Sequence, residues 1–249
     1  MSRVNLVNFD CVEYMRGLPD KAFGMSITSP PYNMNLRING KGDGYCSRQI
    51  VKEISTKYDG YDDNLPMAEY EEFLFQVITE LLRVSEIVFF NIQMITGNKP
   101  ALFRLMGRFA EQIKEVIIWD KVRSQPAMRD GCLNSGFEFI LVLGDNPISR
   151  RFEGAPMQRG TLSNLWAVSP KRSPIKGHGA TFPVELCDKI ISSFYRGGDI
   201  FDPFLGSGST GVSAAKAGIG FSGCEINPDY LEFARERIFN EAQQRDMFA

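Results

Sequence analysis

The feature that most narrows the fold is a pair of stretches near the carboxyl end, "FDPFLGSGSTG" at 201–211 and "GFSGCEI" at 220–226. The first passes from an apolar run through a turn holding Gly206 and Gly208 into Ser209 and Thr210, residues suited to opening a helix. The second is a short β-prone run ending in Glu225, nineteen residues beyond Gly206. Strand, glycine turn, helix and a strand ending in an acid form the layout of a nucleoside site in a doubly wound parallel sheet. The glycines let the backbone approach the ligand, and the acid accepts hydrogen bonds from the ribose hydroxyls.

The rest of the chain alternates in keeping with such a sheet. Runs at 1–9, 24–28, 86–93, 115–120, 137–143 and 199–201 read as strands, and 11–17, 100–113, 181–195, 209–216 and 229–244 as helices. A further helix begins at Pro66 with Phe73, Val77, Ile78, Leu81 and Leu82 on one face. The stretches at 121–136 and after 143 read as loops. With 43% apolar and 23% charged residues, the expectation is a single domain over 1–249: a Rossmann-like, doubly wound, mostly parallel α/β sheet. The apolar runs are too short to cross a bilayer, and nothing suggests export, so a cytoplasmic protein is expected.

The glycine motif is incomplete as a diphosphate site, because Thr210 stands before the next glycine, Gly211. A cofactor with adenosine but no phosphate fits it better than a nicotinamide dinucleotide. S-adenosylmethionine is one, and its carboxylate would lie near the amides of the 206–210 turn.

The second motif is "ITSPPY" at 27–32, which follows an apolar strand directly. An exocyclic amine on a nucleobase is a poor nucleophile because its lone pair is delocalised into the ring. Fixed acceptors for both amino hydrogens draw the nitrogen towards a tetrahedral state as a methyl group arrives. Ser29 Oγ and the Pro30 carbonyl suit this task, since Pro30 and Pro31 stiffen the backbone and remove its donors. Tyr32 offers a face for a base that has left the duplex.

Charge and cysteine usage limit the remaining options. The net charge of −2 does not announce a nucleic-acid partner, yet 146–178 carries Arg150, Arg151, Arg159, Lys171, Arg172 and Lys176 against one acid, Glu153. The stretch 33–62 adds Arg37, Lys41, Arg48 and Lys52; we expect it to be mobile without DNA and to close over a flipped strand. Together with Arg129, all but Lys52 and Lys176 are candidate DNA contacts. The five cysteines never form a Cys-x-x-Cys pair, and His178 is the only histidine. We therefore expect no metal and a reducing compartment.

On these motifs the chain resembles, over most of its length, the exocyclic-amino DNA methyltransferases, which act on adenine N6 or cytosine N4. "ITSPPY" matches that family's catalytic motif, "FDPFLGSGSTG" its cofactor motif, and "GFSGCEINPDYLEFARERI" its acidic ribose-binding strand and following helix. The catalytic motif comes first, the order of the circularly permuted beta class. The resemblance implies a class I S-adenosylmethionine-dependent methyltransferase with Ser29, Pro30, Pro31 and Tyr32 as catalytic residues. It places Asp10, Cys11, Phe182, Asp202, Phe204, Gly206, Ser207, Gly208, Ser209, Thr210 and Glu225 at the cofactor, and target recognition in 146–178. In "GHGATFP", His178, Phe182 and Pro183 align with the family's run, and Gly179 replaces its proline.

Ser-Pro-Pro-Tyr is the form more typical of cytosine N4 enzymes, while Asn33 after it resembles some adenine N6 enzymes. Cytosine N4 is the first reading and adenine N6 the alternative. An RNA or protein amino-methyltransferase and an inactive DNA-binding module are more remote. Cytosine carbon-5 methylation is excluded, since no cysteine follows a proline. The resemblance further implies DNA as partner, a homodimer as a common assembly, and restriction-modification as a setting.

Overall fold

The computed structural model describes residues 3–34, 37–38, 45–46, 64–125, 130–144, 149–170 and 182–248. Its centre is an eight-stranded sheet: β1 (Val4–Val7), β2 (Met25–Thr28), β5 (Val88–Ile92), β6 (Ile113–Gln125), β7 (Ser135–Leu143), β8 (Leu165–Ala167), β9 (Ile200–Asp202) and β10 (Phe221–Cys224). The spatial order is β1-β10-β9-β2-β5-β7-β6-β8, with β7 alone running opposite to the others. Two short strands, β3 (Arg37–Ile38) and β4 (Tyr45–Cys46), pair antiparallel apart from it.

Helices cover both faces, which is why the central strands are buried throughout rather than alternating with solvent. On one face lie α1 (Cys11–Arg16), α2 (Met67–Val84) and α3 (Lys99–Arg108); on the other α4 (Val184–Phe194), α5 (Ser209–Ala217) and α6 (Pro228–Phe248). The period-two geometry of β5 divides its apolar residues between these layers: Val88, Phe90 and Ile92 meet the α1–α3 side and Phe89 the α4–α6 side. This is the doubly wound, mostly parallel sheet that the motifs imply.

Three details differ from the sequence reading. Helix α2 buries Tyr70, Leu74, Val77, Ile78, Leu81 and Val84, so its inner face is centred between Phe73 and Leu82, which are only partly covered. Part of 121–136 is strand rather than loop: β6 runs on to Gln125 and β7 begins at Ser135, their register broken between Asp120 and Gln125, where Val122 lies at φ 63°. The basic stretch also contains β8, anchored by the fully buried Trp166.

Candidate active site

Parallel strands present their carboxyl ends together, and the two motifs meet there because β9 pairs with β2. Thr28, the last residue of β2, donates its hydroxyl to Asp202 Oδ1 at 2.7 Å. The Phe204 amide donates to the same oxygen at 3.0 Å. Thr210 faces inward at the start of α5, with its hydroxyl 3.4 Å from the Ile27 carbonyl. Residues of the catalytic and cofactor motifs are thus bolted together 174 positions apart in sequence. Burial pushes the Asp202 carboxyl up to about 6, against the bonds from Thr28, Thr210 and Phe204 that pull it down.

The glycine turn is shaped by left-handed backbone at Gly206 (φ 49°) and Gly208 (φ 80°). A side chain at Gly208 would also strike Ala234 of α6, whose Cβ would lie 2.9 Å away. Gly208 precedes α5 without a side-chain cap, so the first amides of that helix face the turn unclaimed by a capping group. Ser207 and Ser209 are buried, their hydroxyls 3.5 Å apart, and Arg237 holds the Ser207 carbonyl. Phe204 is partly buried and meets Phe73 edge-on.

Glu225 directly follows β10, with its carboxylate folded back on the turn. Oε2 accepts from the Gly206 amide at 2.8 Å and Oε1 from the Asn227 amide at 2.9 Å. Burial raises its pKa although these amides favour the charged form. Asp10 is exposed and caps α1, its Oδ1 accepting from the Val12 and Glu13 amides, each at 2.9 Å. Cys11 follows it into the core, where burial and the neighbouring Asp10 charge push the thiol upward, so it stays protonated. Asn8 ties the two strand ends by donating to the Glu225 and Ile226 carbonyls, both at 2.8 Å.

Two apolar side chains that the sequence did not single out flank these acids: Phe9 is 50% exposed and Ile226 49%. Uncapped amides for a carboxylate, acids for hydroxyls and an amine, and uncovered apolar surface for a purine fit the parts of S-adenosylmethionine. Phe182 is partly buried, edge-on to Trp119 and packed against the α4–α6 core.

The catalytic loop is held from several sides. The Tyr70 hydroxyl donates to the Pro31 carbonyl at 2.7 Å, and Asn33, at φ 57°, donates to the Leu65 and Gly97 carbonyls at 3.0 and 3.1 Å. Tyr32 is only 7% exposed, its ring set among the α1–α3 core residues. Its hydroxyl lies 2.8 Å from Ser29 Oγ, 2.8 Å from Glu138 Oε2 and 2.6 Å from Asn91 Nδ2. Glu138 in turn meets Lys121 at 2.6 Å, and Lys121 reaches Gln93 at 3.2 Å. None of Asn91, Gln93, Lys121 or Glu138 carries a sequence motif.

The expected DNA contacts do not gather in one place. Arg150 pairs with Glu115, and Arg151 lines a cleft of about 180 Å³ with Glu86, Lys114 and Gly144. Those neighbours lie where β5 and β6 begin and β7 ends, the opposite edge of the sheet from Ser29. A five-residue strand separates the two edges by roughly 17 Å. Arg150 and Arg151 therefore stand at the far edge of the sheet, and β8, later in the same stretch, runs parallel to β6 towards the site edge. Arg159 is exposed. Lys41, Arg48, Arg129, Lys171 and Arg172, the side chain of Arg37, and most of 33–62 lie outside the described residues. Among the described residues no cluster of potential metal ligands occurs and no helix is long and apolar enough to cross a membrane.

Comparison with known proteins agrees with this geometry. The type II methyltransferase M.ScaI of Streptomyces caespitosus is 25% identical over 269 residues, spanning 97% of this chain and 83% of that protein. The fold matches the PvuII DNA methyltransferase (cytosine-N4-specific) with a TM-score of 0.70 at 16% identity, over 98% of this chain and 93% of that one. It also matches the M1.HpyAVI–SAM complex with a TM-score of 0.59 at 18% identity, over 94% and 99% of the two chains. The DNA methylase model of the N6/N4 methyltransferases matches residues 23–236, and the chain belongs to that family, the S-adenosylmethionine-dependent DNA methyltransferases of adenine N6 and cytosine N4.

Proposed function

We propose that the chain methylates the exocyclic amine of a base turned out of the DNA stack, cytosine N4 in the first reading and adenine N6 in the second. The observation that carries it is the Thr28–Asp202 bond, which seats Ser29 beside the cofactor turn. Bound S-adenosylmethionine supplies a methyl group activated on a positively charged sulfur. Asp10 and Glu225 accept hydrogen bonds from the adenosine, the carboxylate lies near the 206–210 turn, where the Gly206 and Gly208 amides are already bonded to Glu225 and the Leu205 carbonyl, and Phe9 and Ile226 cover the purine.

Ser29 Oγ and the Pro30 carbonyl accept from the two amino hydrogens of the target. Their fixed positions favour the tetrahedral nitrogen of the transition state over the flat amine of the ground state. The base stacks on the Tyr32 face in this reading, which requires that ring, 7% exposed here, to be uncovered as the base enters. The preference for cytosine follows from Ser29 and is in keeping with the cytosine-N4 specificity of the PvuII enzyme.

Arg37, Lys41, Arg48, Arg129, Arg159, Lys171 and Arg172 remain the proposed phosphate contacts, and Arg150 and Arg151 leave that set. A homodimer working in the cytoplasm belongs to the same reading, and light scattering at micromolar concentration tests the dimer. The reaction itself is tested by nucleoside mass spectrometry of unmethylated plasmid DNA after incubation with protein and S-adenosylmethionine. N4-methylcytosine is the expected product, N6-methyladenine selects the second reading, and neither product overturns both.

A further inference from the structure

We propose that Glu138, held by Lys121, is a positioning residue that sets the direction of the hydroxyl chain and so makes Ser29 a hydrogen-bond acceptor. The proposal rests on Ser29 as the acceptor of the target amine. The Tyr32 oxygen has one proton and three close partners. Asn91 Nδ2 can only donate, and an ionised Glu138 can only accept. The Tyr32 proton therefore goes to Glu138, and the Tyr32 oxygen receives Asn91 and Ser29. Ser29 must spend its own proton on Tyr32, and with Asn91 Nδ2 reaching its oxygen only at 3.4 Å it keeps a lone pair for the amine.

The arrangement depends on charge. Lys121 is 4% and Glu138 6% exposed, and each is the other's ion-pair partner at 2.6 Å. The lysine occupies Glu138 Oε1, which leaves Oε2 to Tyr32 and Asn91. Asn91 carries a second sign of the same control. Its Nδ2 donates to Glu138 Oε2 at 2.7 Å, while its Oδ1 is buried without a partner. Turning the amide over would set an oxygen against the carboxylate, so Glu138 fixes the amide at the expense of an unmet acceptor. In a chain with glutamine at 138, an amide N–H can donate to Tyr32, the chain can reverse, and Ser29 then points a proton at the incoming amine.

Because Glu138→Gln alone would strand a buried lysine charge, the variant to measure is the charge-free pair Lys121→Gln with Glu138→Gln, in the wild-type and in the Tyr32→Phe background. Methylated nucleoside formation is followed on plasmid DNA at saturating S-adenosylmethionine, with cofactor affinity by calorimetry and folding by thermal melting. The expected result is a loss of rate of about 10- to 100-fold with cofactor affinity within twofold, and no further loss where Tyr32→Phe has already cut the chain. An equal loss in both backgrounds, or no loss in the first, overturns the proposal. A wild-type protein that methylates neither base overturns the proposed reaction instead.

Discussion

The residues at the centre of the site divide into those that face a ligand and those that hold the others still. Under the proposed reaction Ser29 belongs to the first kind, and Ser29→Ala should lower methyl transfer by about 10²- to 10³-fold while calorimetry finds cofactor affinity unchanged. Asp202 belongs to the second, and its titration has a measurable sign. Its pKa rises from 3.8 to about 6 on folding, so the folded chain keeps a proton that the unfolded chain releases. That contribution, on the order of 3 kcal/mol, is complete below about pH 4 and is lost as pH rises through about 6. Asp202→Asn retains Oδ1, the atom that receives both Thr28 and Phe204. Its urea midpoint should match wild type near pH 4 and exceed it above pH 6. The motif residues were legible because each motif is a continuous run with its own backbone geometry. Asn91, Lys121 and Glu138 were not, since they arrive from β5, β6 and β7, and only the pairing of those strands makes them neighbours of Ser29.

Among the elements, those with a strong period or punctuation were readable, and those defined by pairing alone were not. Helix α2 follows from its apolar spacing and the proline before it. Strand β8 has three residues in a basic stretch, and only the insertion of Trp166 beside Trp119 makes it a strand. In "GFEFILVL" the sequence reading saw one buried strand, yet Glu138 turns its charge inward because Lys121 meets it there. Glycines separate by element in the same way. Gly208→Ala must place a side chain at φ 80° against Ala234, and should cost about 1–3 kcal/mol and weaken cofactor binding. Gly107, inside α3, has nothing within 4 Å of an added Cβ. Gly107→Ala should raise stability by about 0.5–1 kcal/mol, seen as a melting temperature higher by roughly 1–4 °C.

At the scale of the molecule, the sheet separates two chemically different edges. The carboxyl edge carries the motifs and the far edge carries Arg150 and Arg151, so these two arginines should have no part in DNA binding. Replacing both by glutamine should leave the salt dependence of DNA affinity unchanged, whereas replacing Lys171 and Arg172 should reduce its slope by about one for each phosphate no longer neutralised, as read by fluorescence anisotropy across salt concentrations. The sheet order holds a different consequence. β9 and β10, from the last quarter of the chain, lie between β1 and β2, from its first thirty residues. On a ribosome, the catalytic strand is made early and waits with an empty slot beside it until the closing strands emerge. A chain released before that point carries Ser29 but lacks the glycine turn and Glu225 that the proposed reaction needs for its methyl donor.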